Sequence, residues 1–405
     1  MGAIPYASSA PVSKAHRLSA PMSLFFLAAL MGSIPVEQCT ILPFIGSFSR
    51  LVGILATAAV LLDATILLGF RRAHIAHAPL ALWVVWCAWT CLWSEIPQLT
   101  SERITTNLQL LFLVWLIWQS VREQKHLRLM LAGWVVGSAC AALLTLVNRH
   151  GAQAADDFRL TAGGIDPNEL GLVLVLSLPM SYFLSRTATR KFARWAWLVP
   201  IPLCLAAVVM TASRGASFTA LVALLCISVW HVKTAPRMRF APLIAGVVLL
   251  AIGLAFAPKA NLERISTFET EVSTGHVGSR GAIWLAGLKV FREHPFTGVG
   301  AATFDVAVEP LLGRTLAAHN VYISVLTETG IPGLALFLLA LGTCIAIVWH
   351  LTGQDRVLWI IVMSIWCIGV MSLTFEYKKA TWAIFGMVIA TAGISEIRRV
   401  KRFSR

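Results

Sequence analysis

Apolar runs of about 20 residues, the length a helix needs to cross the hydrocarbon core of a bilayer, recur in this chain from Met22 almost to its C-terminus. Inside lipid only helices and closed barrels satisfy their own backbone hydrogen bonds, and the alternating strands of about ten residues that a barrel requires are not present in this sequence. Of the 405 residues 58% are hydrophobic and 13% charged, and the mean hydropathy is +0.76, which excludes soluble globular and disordered chains. The expectation is an all-α integral membrane protein of about twelve transmembrane helices. Their centres fall near Leu27, Ala59, Trp86, Leu113, Val136, Val175, Leu205, Leu224, Val248, Leu339, Ser364 and Met387.

A formal net charge of +14 raises the question of nucleic acid, and the positions of the charges answer it. With spans alternating from a cytoplasmic N-terminus, 20 of the 33 basic residues, Arg71, Arg72, Arg398 and Arg399 among them, fall on the cytoplasmic side. Only three acids join them, whereas the other side carries 13 basic and 15 acidic residues. This is the positive-inside pattern, with both termini cytoplasmic and the basic excess against anionic lipid headgroups. No nucleic acid is expected as a partner. Seven of the eight cysteines fall within spans and Cys39 in an outer loop, so neither a disulfide framework nor zinc spacing is present. The basic stretch before Met22 resembles the start of a secretory signal, but eleven further spans point to an uncleaved first helix.

The chain divides into residues 1–257, spans one to nine with short loops; 258–330, a large outer loop; and 331–405, spans ten to twelve with a basic tail. Long loops in compact proteins are usually functional, and the two long connections here, Asn148 to Pro167 and Pro258 to Ala318, both lie on the outer side. Ile283, Trp284, Leu288 and Phe291 recur at helical spacing, which predicts an amphipathic helix on the membrane surface. The turn His294 to Gly300 that follows is either a surface turn or a binding loop.

Further on, His319 precedes a short predicted helix from about Asn320 to Thr329. A break at Gly330-Ile331-Pro332 then leads into span ten, because the residue before a proline avoids helical backbone and proline suits a first helical turn. Such a break leaves backbone polar groups free at the membrane edge, where they are tolerated lining a wet or protein-filled cavity. His319 would sit at its mouth, as a cap or surface residue or as a catalyst. Arg214, in Thr211-Ala212-Ser213-Arg214-Gly215, either snorkels or meets an anion; Arg280, in Gly278-Ser279-Arg280-Gly281, is either solvated or does the same. Asp63, read as the one ionisable residue deep in a span, is a site candidate or a structural hydrogen bond. The stripe Trp83, Trp86, Trp89 and Trp93 suits packing and interfaces, or a polyprenyl groove.

His319-Asn320, nine residues, Gly330, two residues and Gly333 resemble the signature of bacterial O-antigen ligases, which share a C-terminal region with some O-antigen polymerases and protein O-oligosaccharyltransferases. Ser213-Arg214-Gly215, Asp166-Pro167-Asn168-Glu169 and the stretch from Arg280 through Trp284 to His294-Pro295-Phe296 and Gly298-Val299-Gly300 are similar to that family as well. The specific motifs cover about Asp166 to Gly215 and Arg280 to Gly333, while the topology is similar throughout. The resemblance implies a GT-C-like glycosyltransferase of the Gram-negative inner membrane with its active site facing the periplasm. It implies transfer of O-antigen from undecaprenyl diphosphate to a sugar hydroxyl of lipid A-core, inverting, without cofactor or metal.

The leaving lipid diphosphate gains charge that fixed cations or a metal must meet. The outer loops hold no Asp-x-Asp or His-rich set, and Asp156-Asp157 reads as solvated loop. The guanidinium fork matches phosphate oxygens, so the resemblance implies Arg214 and Arg280 on the diphosphate and His319 as general base. Asn320, Tyr322, Glu328 and Asn168 would support the site or satisfy helix ends. The short basic tail leans toward ligase, because protein-glycosylating relatives add a C-terminal periplasmic region. An O-antigen polymerase is the near alternative. A twelve-span flippase of lipid-linked oligosaccharides is the distant one, and it would carry several intramembrane charges and a repeat.

Overall fold

The computed structural model describes residues 22–37, 41–42, 46–147, 160–234 and 280–403. The span expected near Val248, the Asp156-Asp157 pair and residues 258–279 of the large loop lie outside the described residues. A helix stands at each of the other eleven expected centres. In chain order these helices are α1 (Met22–Ser33), α2 (Phe48–Asp63), α3 (His77–Trp89), α4 (Pro97–Ser120), α5 (Gln124–Val147), α6 (Pro167–Thr187), α7 (Lys191–Ala196), α8 (Pro200–Met210) and α9 (Arg214–Thr234). After the undescribed segment come α10 (Arg280–Glu293), α11 (Phe304–Leu312), α12 (Val321–His350), α13 (Gly353–Gly369) and α14 (Lys379–Phe403).

Among the described residues eight helical stretches are long and apolar enough to cross a membrane, the longest of them being Val321–His350. Met22–Val36 and His77–Leu92 are shorter, and α4 has the length but opens on the polar run Pro97 to Asn107. A single small β-pair, Ile41–Leu42 with Gly46–Ser47, precedes α2 among the described residues. The most enclosed spans are α6 and α14.

Lipid chains are as apolar as leucine, so helices associate in a bilayer by close packing, which small residues permit. Gly133 and Gly137, one turn apart on α5, face Ala28 and Gly32 on α1, and a Cβ at either α5 glycine would collide with the carbonyl oxygens of Ala28 and Gly32. Asp63 proves structural: its Oδ2 accepts from the Ser23 backbone N–H at 2.8 Å, capping one of the free donors of the first turn of α1.

Two further charged residues lie near the span ends: Arg103, in the polar opening of α4, has its guanidinium 4.3 Å from the ring centroid of Tyr377, and Glu328 is buried in α12 two residues before Gly330.

The tryptophan stripe of α3 serves packing and hydrogen bonding. Trp83 is buried against Phe337, Tyr377 and Trp382, with ring centroids 5.4, 5.9 and 5.8 Å away, and Trp86 and Trp93 reach backbone carbonyls described below.

The amphipathic helix is present as α10, and of the expected stripe Ile283 meets protein: with Ala286 and Val290 it joins Val299, Phe304, Val308 and Ala318 in a second small core, while Trp284, Leu288 and Phe291 are half-buried. The same periodicity serves a lipid surface or a protein one, and α11 and the start of α12 cover it.

Candidate functional site

The break in α12 organises this end of the bundle. Gly330 has φ 68° and ψ −172°, a backbone region essentially reserved to glycine, and it separates Val321 to Thr329 from the span beyond. The carbonyls released there are taken by chain from elsewhere. Thr327 O accepts from Val299 N at 3.2 Å, Glu328 O from Gly300 N at 2.9 Å, and Ile331 N donates to Pro295 O at 2.9 Å. Trp86 Nε1 donates to Thr329 O at 2.8 Å, and Trp93 Nε1 to Thr297 O at 3.0 Å. The turn from His294 to Gly300 is therefore neither a free surface turn nor an open loop; it fills the break, and the expected cavity is protein-filled.

Glu328 belongs to this plug. Its Oε2 accepts from Ala302 N at 2.8 Å and from the Tyr377 hydroxyl at 2.6 Å, so it clamps the plug to the α13–α14 connection. Asn320 is the N-cap of α12, its Oδ1 accepting from Tyr322 N at 3.0 Å and Ile323 N at 3.2 Å. Tyr322 reaches toward α13, its hydroxyl 3.4 Å from Cys367 O. Of the four supporting candidates these three satisfy helix ends or neighbouring elements.

His319, just before that cap, is half-buried with φ 46°. Its backbone N–H donates to Thr374 Oγ1 at 3.0 Å. The residue before it is tied as well, Ala318 O accepting from Trp284 Nε1 at 3.0 Å. Trp284 is one turn along α10 from Arg280, the helix's first residue, so the α10 N-terminus is drawn to the histidine.

Arg214 opens α9. The Ser213 hydroxyl beside it donates to Asn168 Oδ1 at 2.8 Å, and Asn168 follows Asp166, whose Oδ1 caps α6 by accepting from Asn168 N at 2.8 Å and Glu169 N at 3.2 Å. The Asp166 to Glu169 motif thus sets the turn that carries the arginine. Gly215 is pressed so closely on the α13–α14 connection that a Cβ would lie 2.5 Å from Ser372 Oγ. Ser372 touches the Arg214 turn and Thr374 holds His319, so this connection brings together segments about a hundred residues apart in the chain. Both arginines stand at helix N-termini, where free N–H groups and the helix dipole favour an anion, and both are half-buried.

The same connection holds residues that the sequence reading passed over. Glu376 is wholly buried, and among the described residues neither of its carboxylate oxygens has a hydrogen-bond partner. Burial first, and the neighbouring Glu328 carboxylate second, push its pKa up to about 8, so it is mostly neutral at pH 7. Lys378 pairs with Glu169 at 2.9 Å; Lys379 pairs with Glu37 and lies 3.1 Å from Ser49 Oγ. The signal for them was a Glu-Tyr-Lys-Lys run in a connection too short to stand out.

Among the described residues no group of three or more His, Cys, Asp or Glu side chains is placed to hold a metal ion. No curated protein matches the chain. Residues 200–338 match the family model described as O-antigen ligase, a stretch running from α8 through Arg214, Arg280 and His319 into α12.

Proposed function

We propose that this protein is an O-antigen ligase, transferring a glycan from undecaprenyl diphosphate to a sugar hydroxyl of lipid A-core at the periplasmic face of the inner membrane. The observation that supports the reading is that the Ser372 to Thr374 connection meets both the turn carrying Arg214, through Gly215, and the backbone of His319, whose neighbour Ala318 is held by Trp284, one turn along α10 from Arg280. In the reaction, neutral His319 takes the proton of the acceptor hydroxyl as its oxygen attacks the anomeric carbon from the face opposite the diphosphate. The new C–O bond forms as the bond to the diphosphate oxygen breaks, with inversion. The electron pair leaves on the diphosphate, where Arg214 and Arg280 meet the growing charge with forked hydrogen bonds. The proton on His319 then passes to solvent. Energy comes from the donor's diphosphate linkage, so neither nucleotide sugar nor cofactor is required.

The test is transfer by the purified protein from undecaprenyl-diphosphate-linked glycan to lipid A-core, with and without a chelator. Product should form on lipid A-core, persist under chelation, and fall by roughly 10² to 10⁴ in His319→Ala, the usual worth of a general base. Longer donor-linked chains with untouched lipid A-core would make the protein a polymerase, and no covalent product would favour a flippase.

A further inference from the structure

A groove of about 1170 Å³ opens between α2 and α4, larger than the roughly 300–1,000 Å³ of ordinary small-molecule sites. Its walls run from Arg50 to Leu61 on α2 and from Thr106 to Leu116 on α4, or about 15–17 Å at the helical rise of 1.5 Å per residue. That is the depth of one leaflet, half of a hydrocarbon core of about 30 Å. Its two ends differ in chemistry. Arg50, Lys378 and Lys379 stand at the mouth with Glu37, while Ile54, Ala58, Leu61, Leu113 and Leu116 line the body. Lys378 and Lys379 stand there in ion pairs with Glu169 and Glu37, and Arg50 adds a further positive charge, so a mouth of net positive charge over a mainly apolar slot one leaflet deep fits a phosphorylated lipid.

We propose that this groove seats the acyl chains and phosphate of the acceptor, the lipid A part of lipid A-core. The choice between the two lipid substrates rests on the ligase reading and follows from where each carries its reactive atom. The donor's scissile bond adjoins its own diphosphate, so its polyprenyl chain has to start at the cations that bind that diphosphate. Neither Arg214, Arg280 nor His319 lines the groove. The acceptor's hydroxyl, by contrast, is separated from its acyl chains by the core sugars, so its lipid can sit apart from the reaction centre. The connection between α13 and α14 sets that separation: Thr374 holds His319, and five residues further on Lys379 lines the groove mouth. Five residues span at most about 18 Å, a gap for the core sugars to bridge.

The test is binding, so it does not depend on turnover. Ala58→Trp and Leu61→Trp each place an indole in the slot. Purified full-length protein carrying either change should bind lipid A-core about tenfold more weakly while binding undecaprenyl diphosphate as the unmodified protein does. In the unmodified protein, lipid A-core with a photoreactive acyl chain should crosslink to α2 and α4, which requires no variant to fold. Loss of undecaprenyl diphosphate binding in the variants, or crosslinks confined to other helices, would overturn the proposal. If groove-dependent binding of lipid A-core holds but no glycan is transferred to it, the ligase reading falls and the groove assignment stands.

Discussion

The arginine beside Ser213 can be distinguished from a mere snorkelling cation by its shape. A lysine at the position keeps the charge and loses the planar fork, so Arg214→Lys should weaken binding of undecaprenyl diphosphate and lower transfer, measured by titration with the donor and by initial rates. Donor affinity equal to that of the unmodified protein would leave the arginine as a lipid-interface residue. Glu376 supplies a prediction in pH. Its carboxyl holds a proton in the folded protein up to about pH 8 but releases it near the ordinary 4.5 when unfolded, so the unfolded state binds fewer protons between those values. Stability should therefore fall as pH rises through that window. Glu376→Gln removes the linkage, so its thermal midpoint in detergent should stand above that of the unmodified protein at pH 8 and converge with it near pH 4.5. Glu328, two turns along α12 from His319, shows why neighbouring carboxylates have different fates: one has partners for its oxygens and the other has none.

Among the elements, α12 carries the clearest joint consequence of sequence and packing. The proline at 332 announces a break, and the break occurs at Gly330. What fills it is a turn about thirty residues earlier, which brings two backbone donors to the carbonyls of Thr327 and Glu328. Gly330→Ala should strain the backbone by about 1–3 kcal/mol and press a methyl on Phe296 O at 2.5 Å. The expected result is a lower unfolding temperature together with reduced transfer, because Glu328 ties this region to the connection whose Thr374 holds His319; unchanged stability and activity would refute that coupling. For α10 the apolar spacing was legible and its partner was not, since lipid and the second core both accept Ile283 and Val290. The tryptophans of α3 were legible as a stripe, but the indole bond to Thr329 O follows from a tertiary contact that no spacing within α3 encodes.

For the molecule as a whole, the α1–α5 contact is a single point on which the bundle can be tested. Gly137→Leu would drive a side chain into the Gly32 backbone and should lower the thermal midpoint in detergent by several degrees, or prevent a monodisperse preparation; a well-behaved variant of unchanged midpoint would contradict the close packing. The sequence by itself determined that the chain is a helical bundle, where nearly every helix lies, and which motif residues are candidates for chemistry. It could do so because lipid obliges each span to close its own backbone hydrogen bonds, making the helix a local decision readable from apolar runs. Only the tertiary structure decided which face meets which neighbour. Through it His319 and Arg214 meet one connection, Glu376 is buried beside Glu328, and α2 and α4 leave a groove open. The physical reason is that protein and lipid are equally apolar surroundings, so hydropathy marks a residue for the membrane without saying whether it faces a helix, a loop or a lipid.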